Sequence, residues 1–221
     1  MKKVLLFTII AFLSSSILKA QISKGSVLLG GGVNINNSRY ENANTPLQNK
    51  THENHTTINP VVGIAVKENL ILGVSLGYGR SENTTNSDPT NPSIDRYTSY
   101  SGGIFLRKYL LLGKNFYLFG QGDLGYTDYN QKSSSLSNSF NQNGWRTALG
   151  FSPGISYALN KRFHLETSFS NLLNLSYEKY RTDLYSSGNQ SSRVKRTFSF
   201  NSNASPFSNF NIGFRFVCQI R

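Results

Sequence analysis

Every second residue is apolar in eight separate stretches of the chain. The last stretch shows it most plainly: Phe210, Ile212, Phe214 and Phe216 alternate with Asn211, Gly213, Arg215 and Val217. A period of two marks a β-strand with unlike faces. The same alternation predicts strands over about 25–36, 56–66, 70–80, 96–110, 116–129 and 145–159, and one starting at Phe163. In the sixth, Trp145, Thr147, Leu149, Phe151, Pro153, Ile155, Tyr157 and Leu159 oppose Arg146, Ala148, Gly150, Ser152, Gly154, Ser156 and Ala158. Pro60 and Pro153 fall inside two of these strands. Proline removes a ladder donor, so a bulge is expected at each.

The connections alternate between short and long. Short turns fall near 67–69, 112–115 and 160–162, and long Asn/Ser/Thr-rich segments near 37–55, 81–95, 130–144 and 176–206. Residues 193–200 also suit an outward extension of the last strand, with a hairpin tip around Ser187-Gly188-Asn189. Tight turns on one rim and long loops on the other are the pattern of an up-and-down transmembrane β-barrel. The predicted fold class is all-β: an eight-stranded antiparallel barrel.

Residues 1–20 read as a signal peptide and 21–221 as one barrel domain. Lys2 and Lys3 precede the short apolar run Val4–Leu13, and cleavage is expected after Ala20. The run is too short to span a bilayer as a helix, and no later segment approaches the necessary length. No Cys follows the cut, which argues against a lipoprotein anchor.

Composition decides which face meets lipid. Charged residues make up only 15% of the chain, against about 25% in ordinary soluble domains. The polar face is built from Gly, Ser, Ala and Asn, a poor surface for a soluble barrel and a good lining for a narrow lumen. The apolar face is therefore predicted to point outward. Tyr78, Tyr100, Tyr126 and Trp145 fall on that face near the long-loop rim, and Phe116, Tyr157 and Phe163 near the short-turn rim. Two such groups form the aromatic girdles expected at lipid headgroups.

The formal charge is +12, or +9 once Lys2, Lys3 and Lys19 are removed. A basic exported chain is drawn to the phosphates of outer-membrane lipid and lipopolysaccharide rather than to nucleic acid. Lys179, Arg181, Arg193, Lys195 and Arg196 concentrate that charge in the last long segment. Cys218 is the only cysteine, so no intramolecular disulfide and no Cys-based zinc site can form.

The sequence resembles the small outer-membrane β-barrel proteins of Gram-negative bacteria, the OmpA/OmpX-like superfamily, and in particular the porin-family barrel domain common in Bacteroidetes. The leader, the eight alternating strands and Asn211-x-Gly213-x-x-Phe216 carry the likeness. That last motif is similar to the signal read by the barrel-assembly machinery. The resemblance implies a bacterial outer-membrane location and that machinery as a partner during biogenesis.

Arg107, Asp123, Glu166 and Arg215 fall on the predicted inner face. Enclosed charges must be paired, which predicts a lumenal ion-pair network. Similar barrels carry one as a plug. His164, Glu166 and Ser168 share a face, but there is no G-x-S-x-G elbow and a narrow lumen keeps lipid away. Gly30-Gly31-Gly32 lacks the Lys-Ser/Thr of a phosphate loop. His52 and His55, three apart with Glu53 between them, could bind a metal on a helical turn, but their Asn/Thr-rich segment has no helical pattern and they read as solvated loop residues. The expected molecule is a monomeric barrel without catalysis, metal or cofactor, serving envelope integrity or binding a partner through its loops. A narrow porin is the alternative; a lipid-directed barrel enzyme is the third reading.

Overall fold

The computed structural model describes residues 22–42, 49–86, 92–135, 138–160, 162–186, 189–202 and 210–218. Residues 1–20, expected to be a signal peptide, lie outside them. Ten strand segments form one antiparallel sheet: β1 Val27–Asn42, β2 Asn49–Lys67, β3 Leu70–Asn86, β4 Ser93–Leu111, β5 Phe116–Ser134, β6 Asn138–Ala158, β7 Phe163–Phe169, β8 Leu173–Ser186, β9 Asn189–Ser202 and β10 Phe210–Cys218. They make eight barrel strands. β7 and β8 both pair with β6, one below the other, and count as one interrupted strand. β9 pairs with β8, and β10 pairs with β7, so they form the last strand in the same way. Val27–Gly30 of β1 face Arg215–Cys218 of β10 and close the barrel.

The long segments read as loops are largely strand. β1 runs out to Asn42 and β2 starts at Asn49; the next two long connections are likewise shortened by paired ribbons. The suggested hairpin near Ser187 is realised by β8 and β9. The first ribbons, Thr51–Thr57 against Ser81–Asn86 for example, are polar on both faces, so no apolar period announces them. Ion pairs such as Arg96 Nε to Glu82 Oε2 at 3.1 Å join the two strands of a ribbon.

The prolines act differently from a simple bulge. At Pro60 the β2–β3 ladder skips Asn59 and Pro60, yet the register is unchanged from Ile58↔Tyr78 to Val61↔Ser75. The shift in that pair lies at Ala65/Lys67, beside the turn. Near Pro153 the irregularity sits on the neighbour. Phe151 faces Leu173 while Gly154 faces Ser168, so the partner strand carries two extra residues. They are taken up where the chain bends at Asn171, which adopts φ 52°, a conformation asparagine tolerates.

One row of cross-strand partners shows the orientation of the wall. From Leu29 it passes through Val62, Val74, Ile104, Leu124, Leu149 and Leu175 to Phe200. All are exposed, from 37% at Leu175 to 65% at Phe200. The apolar face therefore points away from the barrel axis. Leu29 also faces Phe216 on β10. The row thus begins and ends on the same barrel strand at different heights, the stagger that closing a tilted sheet requires.

The interior of the short-turn half is apolar, which the Gly/Ser reading of the inner face did not anticipate. Leu28, Ala65, Ile71, Phe105, Tyr117 and Phe119 fill it. Ile22 adds to the cluster from the rim, where its amide donates to Asn69 Oδ1 at 3.0 Å. Room for these rings comes from glycine. A Cβ on Gly73 would collide with the Phe105 ring and the Val62 carbonyl oxygen. Gly73→Val is expected to lower unfolding free energy by about 1–3 kcal/mol through overpacking, as read by urea titration in lipid vesicles.

Candidate functional site

The wall fixes which side chains enter the lumen, and they form three layers. The lowest is the aromatic cluster just described. Above it lies a charged layer. Arg107 Nη1 donates to Glu166 Oε2 at 2.8 Å, and Arg215 Nε reaches the same oxygen at 3.2 Å. Tyr109 donates its phenol proton to Glu166 Oε1 at 2.8 Å. Gln121 Oε1 accepts from Arg107 Nε at 2.9 Å and Nη2 at 2.6 Å. The Arg107 guanidinium lies 4.4 Å from the Phe119 ring centroid, a cation–π distance. Arg107 and Glu166 are only 3% and 5% exposed.

Three of the four residues expected in an ion-pair network thus converge, and Asp123 does not. It accepts a hydrogen bond from Gln121 and makes no ion pair among the described residues. The reason is register: Asp123 faces Gly150 on β6, further toward the long-ribbon rim than the Glu166 layer. Gln121 and Tyr109 complete the layer instead. Tyr109 lies in the run Tyr109–Leu112, where alternation fails and both faces are apolar. Such a run is the available signal that an inward position is a large ring.

His164 is also enclosed. Its Nδ1 is 3.1 Å from Ser156 Oγ, and its ring stacks on Tyr117 at 5.7 Å. The partner is not Ser168, the serine on its own strand. Ser156 is 0% exposed. Glu166 is held by two arginines and a tyrosine rather than by His164.

The third layer is a polar vestibule of about 510 Å³. Its lining includes Asp123, Arg146, Glu178, Asn174, Tyr97 and Tyr129. Tyr129 donates to Glu178 Oε1 at 2.7 Å and stacks on Tyr97 at 5.8 Å. Arg146 Nη2 reaches Asn174 Oδ1 at 3.3 Å.

On the outer face the aromatic residues gather in contact pairs at two levels. Tyr78 meets Tyr100 at 5.5 Å, and Trp145 lies between Tyr126 and Tyr177 at 6.1 and 5.6 Å. Toward the other rim Phe116 meets Tyr157 at 4.6 Å, and Phe163 meets Phe216 at 5.0 Å. Tyr177 and Phe216 join residues already expected there.

The metal reading of the first long segment finds His52 within β2, its Nε2 3.0 Å from Asn37 Oδ1. Among the described residues no group of three or more His, Cys, Asp or Glu converges as a metal site. On the β8–β9 hairpin, the Ser192 hydroxyl and the Arg181 guanidinium hold the Asp183 carboxyl below the usual carboxylate range.

Residues 5–214 match the family described as outer membrane protein beta-barrel domain. The chain belongs to that family. As a member of the outer membrane protein beta-barrel family it is a bacterial outer-membrane protein, and the exposed apolar row is its lipid-facing wall. It is similar in fold to the outer membrane protein OprG of Pseudomonas aeruginosa, with 14% identity, a TM-score of 0.51, and coverage of 90% of this chain and 98% of that one. A weaker likeness is to the ferric yersiniabactin uptake receptor FyuA of Yersinia pestis, with 9% identity, a TM-score of 0.41, and 70% and 25% coverage. Another is to the translocator domain of the autotransporter NalP of Neisseria meningitidis, with 12% identity, a TM-score of 0.36, and 98% and 93% coverage. No curated protein matches the sequence.

Proposed function

We propose that this barrel is a non-catalytic, non-conducting outer-membrane protein that meets its partners through the polar ribbons on its long-loop rim. The observation that carries the reading is Glu166 shared by Arg107 and Arg215 directly above a packed aromatic layer. Charge-assisted bonds hold the side chains across the lumen, and the buried rings beneath them support a closed lumen. A porin needs a continuous polar channel, and a charged layer over an apolar cluster speaks against one.

Catalysis has little support in the geometry. The His164–Ser156 pair has a nucleophile and a base within hydrogen-bond reach, but the serine is sealed from substrate. Envelope integrity and recognition suit a rigid barrel carrying stiff polar ribbons. The basic excess on β8 and β9 favours lipopolysaccharide phosphates or an acidic extracellular partner over nucleic acid. Assembly through the barrel-assembly machinery as a monomer completes the proposal.

Planar-bilayer recording of the purified full chain tests it. The expected trace has no steady conductance at 100 mV in 1 M KCl, conditions of roughly 3 Å screening length. Uniform, long-lived conductance steps would overturn the plugged reading in favour of the porin.

A further inference from the structure

The vestibule above the plug has the makings of a ligand site. Asp123 stands opposite Gly150 in the β5–β6 register. With no side chain on Gly150, two acceptor oxygens converge over its Cα, and the notch between them faces the vestibule. A Cβ on Gly150 would lie 2.7 Å from Asp123 Oδ2 and 2.8 Å from Asn171 Oδ1. Asn171 is held at that point by its own geometry: φ is 52°, and its amide donates to Ser152 Oγ at 3.0 Å. A carboxylate oxygen and an amide oxygen near one point suit a donor with several hydrogens and a positive charge.

The charges of the vestibule give the sign. Arg146 and Glu178 are direct partners across the β6–β8 register, so their opposite charges balance locally. Asp123 is left over, half-buried and without an ion pair among the described residues. One positive charge entering the notch neutralises it. The remaining lining favours hydroxyl groups on the same ligand. Gln131, Gln142 and Asn174 offer amides, and the Tyr97–Tyr129 stack offers an aromatic wall. The cavity volume falls within the roughly 300–1,000 Å³ of small-molecule pockets.

We infer that the vestibule binds a small hydroxylated primary ammonium ion of the amino-sugar kind, with its ammonium held between Asp123 and Asn171. Gln121 links this notch to the plug: it donates to Asp123 while accepting from Arg107. The plug serves only as the floor, and binding is read separately from conductance. The two readings therefore fail separately.

Isothermal titration of the folded full-length chain in detergent micelles, with glucosamine and glucose as probes, tests the inference. Glucosamine should bind about tenfold or more tightly than glucose, the size expected for one charge-assisted bond. Asp123→Asn should erase that preference. Gly150→Ala should weaken glucosamine by a similar factor, because its methyl group pushes the two oxygens apart while displacing only side-chain ends. Folding of each variant is checked by gel mobility before and after boiling. Equal binding of the two sugars, binding of neither, or an unchanged preference in a folded Asp123→Asn or Gly150→Ala variant would overturn it.

Discussion

Glu166→Gln is expected to lower the unfolding free energy of the barrel by roughly 3–5 kcal/mol and to open the lumen to ions. The substitution is nearly isosteric and keeps acceptor capacity for Tyr109. What it removes is the one negative charge between two guanidiniums. The Arg107 side chain is 4% exposed and that of Arg215 21%, so neither can turn to bulk water without leaving its place. Arg215 Nη1 already lacks a hydrogen-bond partner among the described groups. Two like charges sharing one low-dielectric layer then repel, and the layer loosens. Denaturant titration in vesicles should show the loss, and bilayer recordings should show conductance absent from the parent. Adding Arg215→Gln should restore part of the stability, because the pair is coupled through the same carboxylate. A Glu166→Gln barrel as stable and as silent as the parent would mean that the triad does not plug the lumen.

Leu124→Arg should be the second severe change, at about 2–4 kcal/mol if its site lies near the bilayer midplane. Leu124 is 51% exposed, between Ile104 at 54% and Leu149 at 53% in the same cross-strand row. On a soluble protein, an arginine at so open a position would cost within about 0.5 kcal/mol. In this wall it must enter hydrocarbon or snorkel toward the headgroups. Gln131→Arg, within the polar vestibule, serves as the control and should be nearly neutral. Urea midpoints of the two variants in the same vesicles decide it. Equal midpoints would remove the physical basis for calling the apolar row lipid-facing.

The architecture was legible because a wall with unlike faces writes its period into the chain. Leu70, Leu72, Val74, Leu76 and Tyr78 against Gly73, Ser75, Gly77 and Gly79 leave little choice of fold. The ribbons beyond the membrane were not legible. Thr51–Thr57 and Ser81–Asn86 are polar on both faces, so pairing there depends on the partner strand rather than on burial. The interrupted seventh strand was hidden for a related reason: the bend at Asn171 responds to Pro153 on its neighbour.

The site was half legible. Rare inward charges pointed to Arg107, Glu166 and Arg215, since an enclosed charge has few options. Which of them meet depends on stagger around the barrel, and that separated Asp123 from the rest. Tyr109, Phe105 and Phe119 were missed because an inward ring and a lipid-facing ring look alike in a run apolar on both faces. The failure of alternation over Ile104–Leu106 and Phe116–Phe119 is the trace they leave.

The chain has a single tryptophan, Trp145, on the outer face between Tyr126 and Tyr177. That permits one direct test of the wall's orientation: quenching of its fluorescence in vesicles made with lipids brominated along the acyl chain. Strong quenching by bromines placed near the headgroup, with little effect of aqueous iodide, is the predicted result. Emission untouched by every brominated lipid but quenched freely by iodide would place the apolar face away from the bilayer and contradict the account.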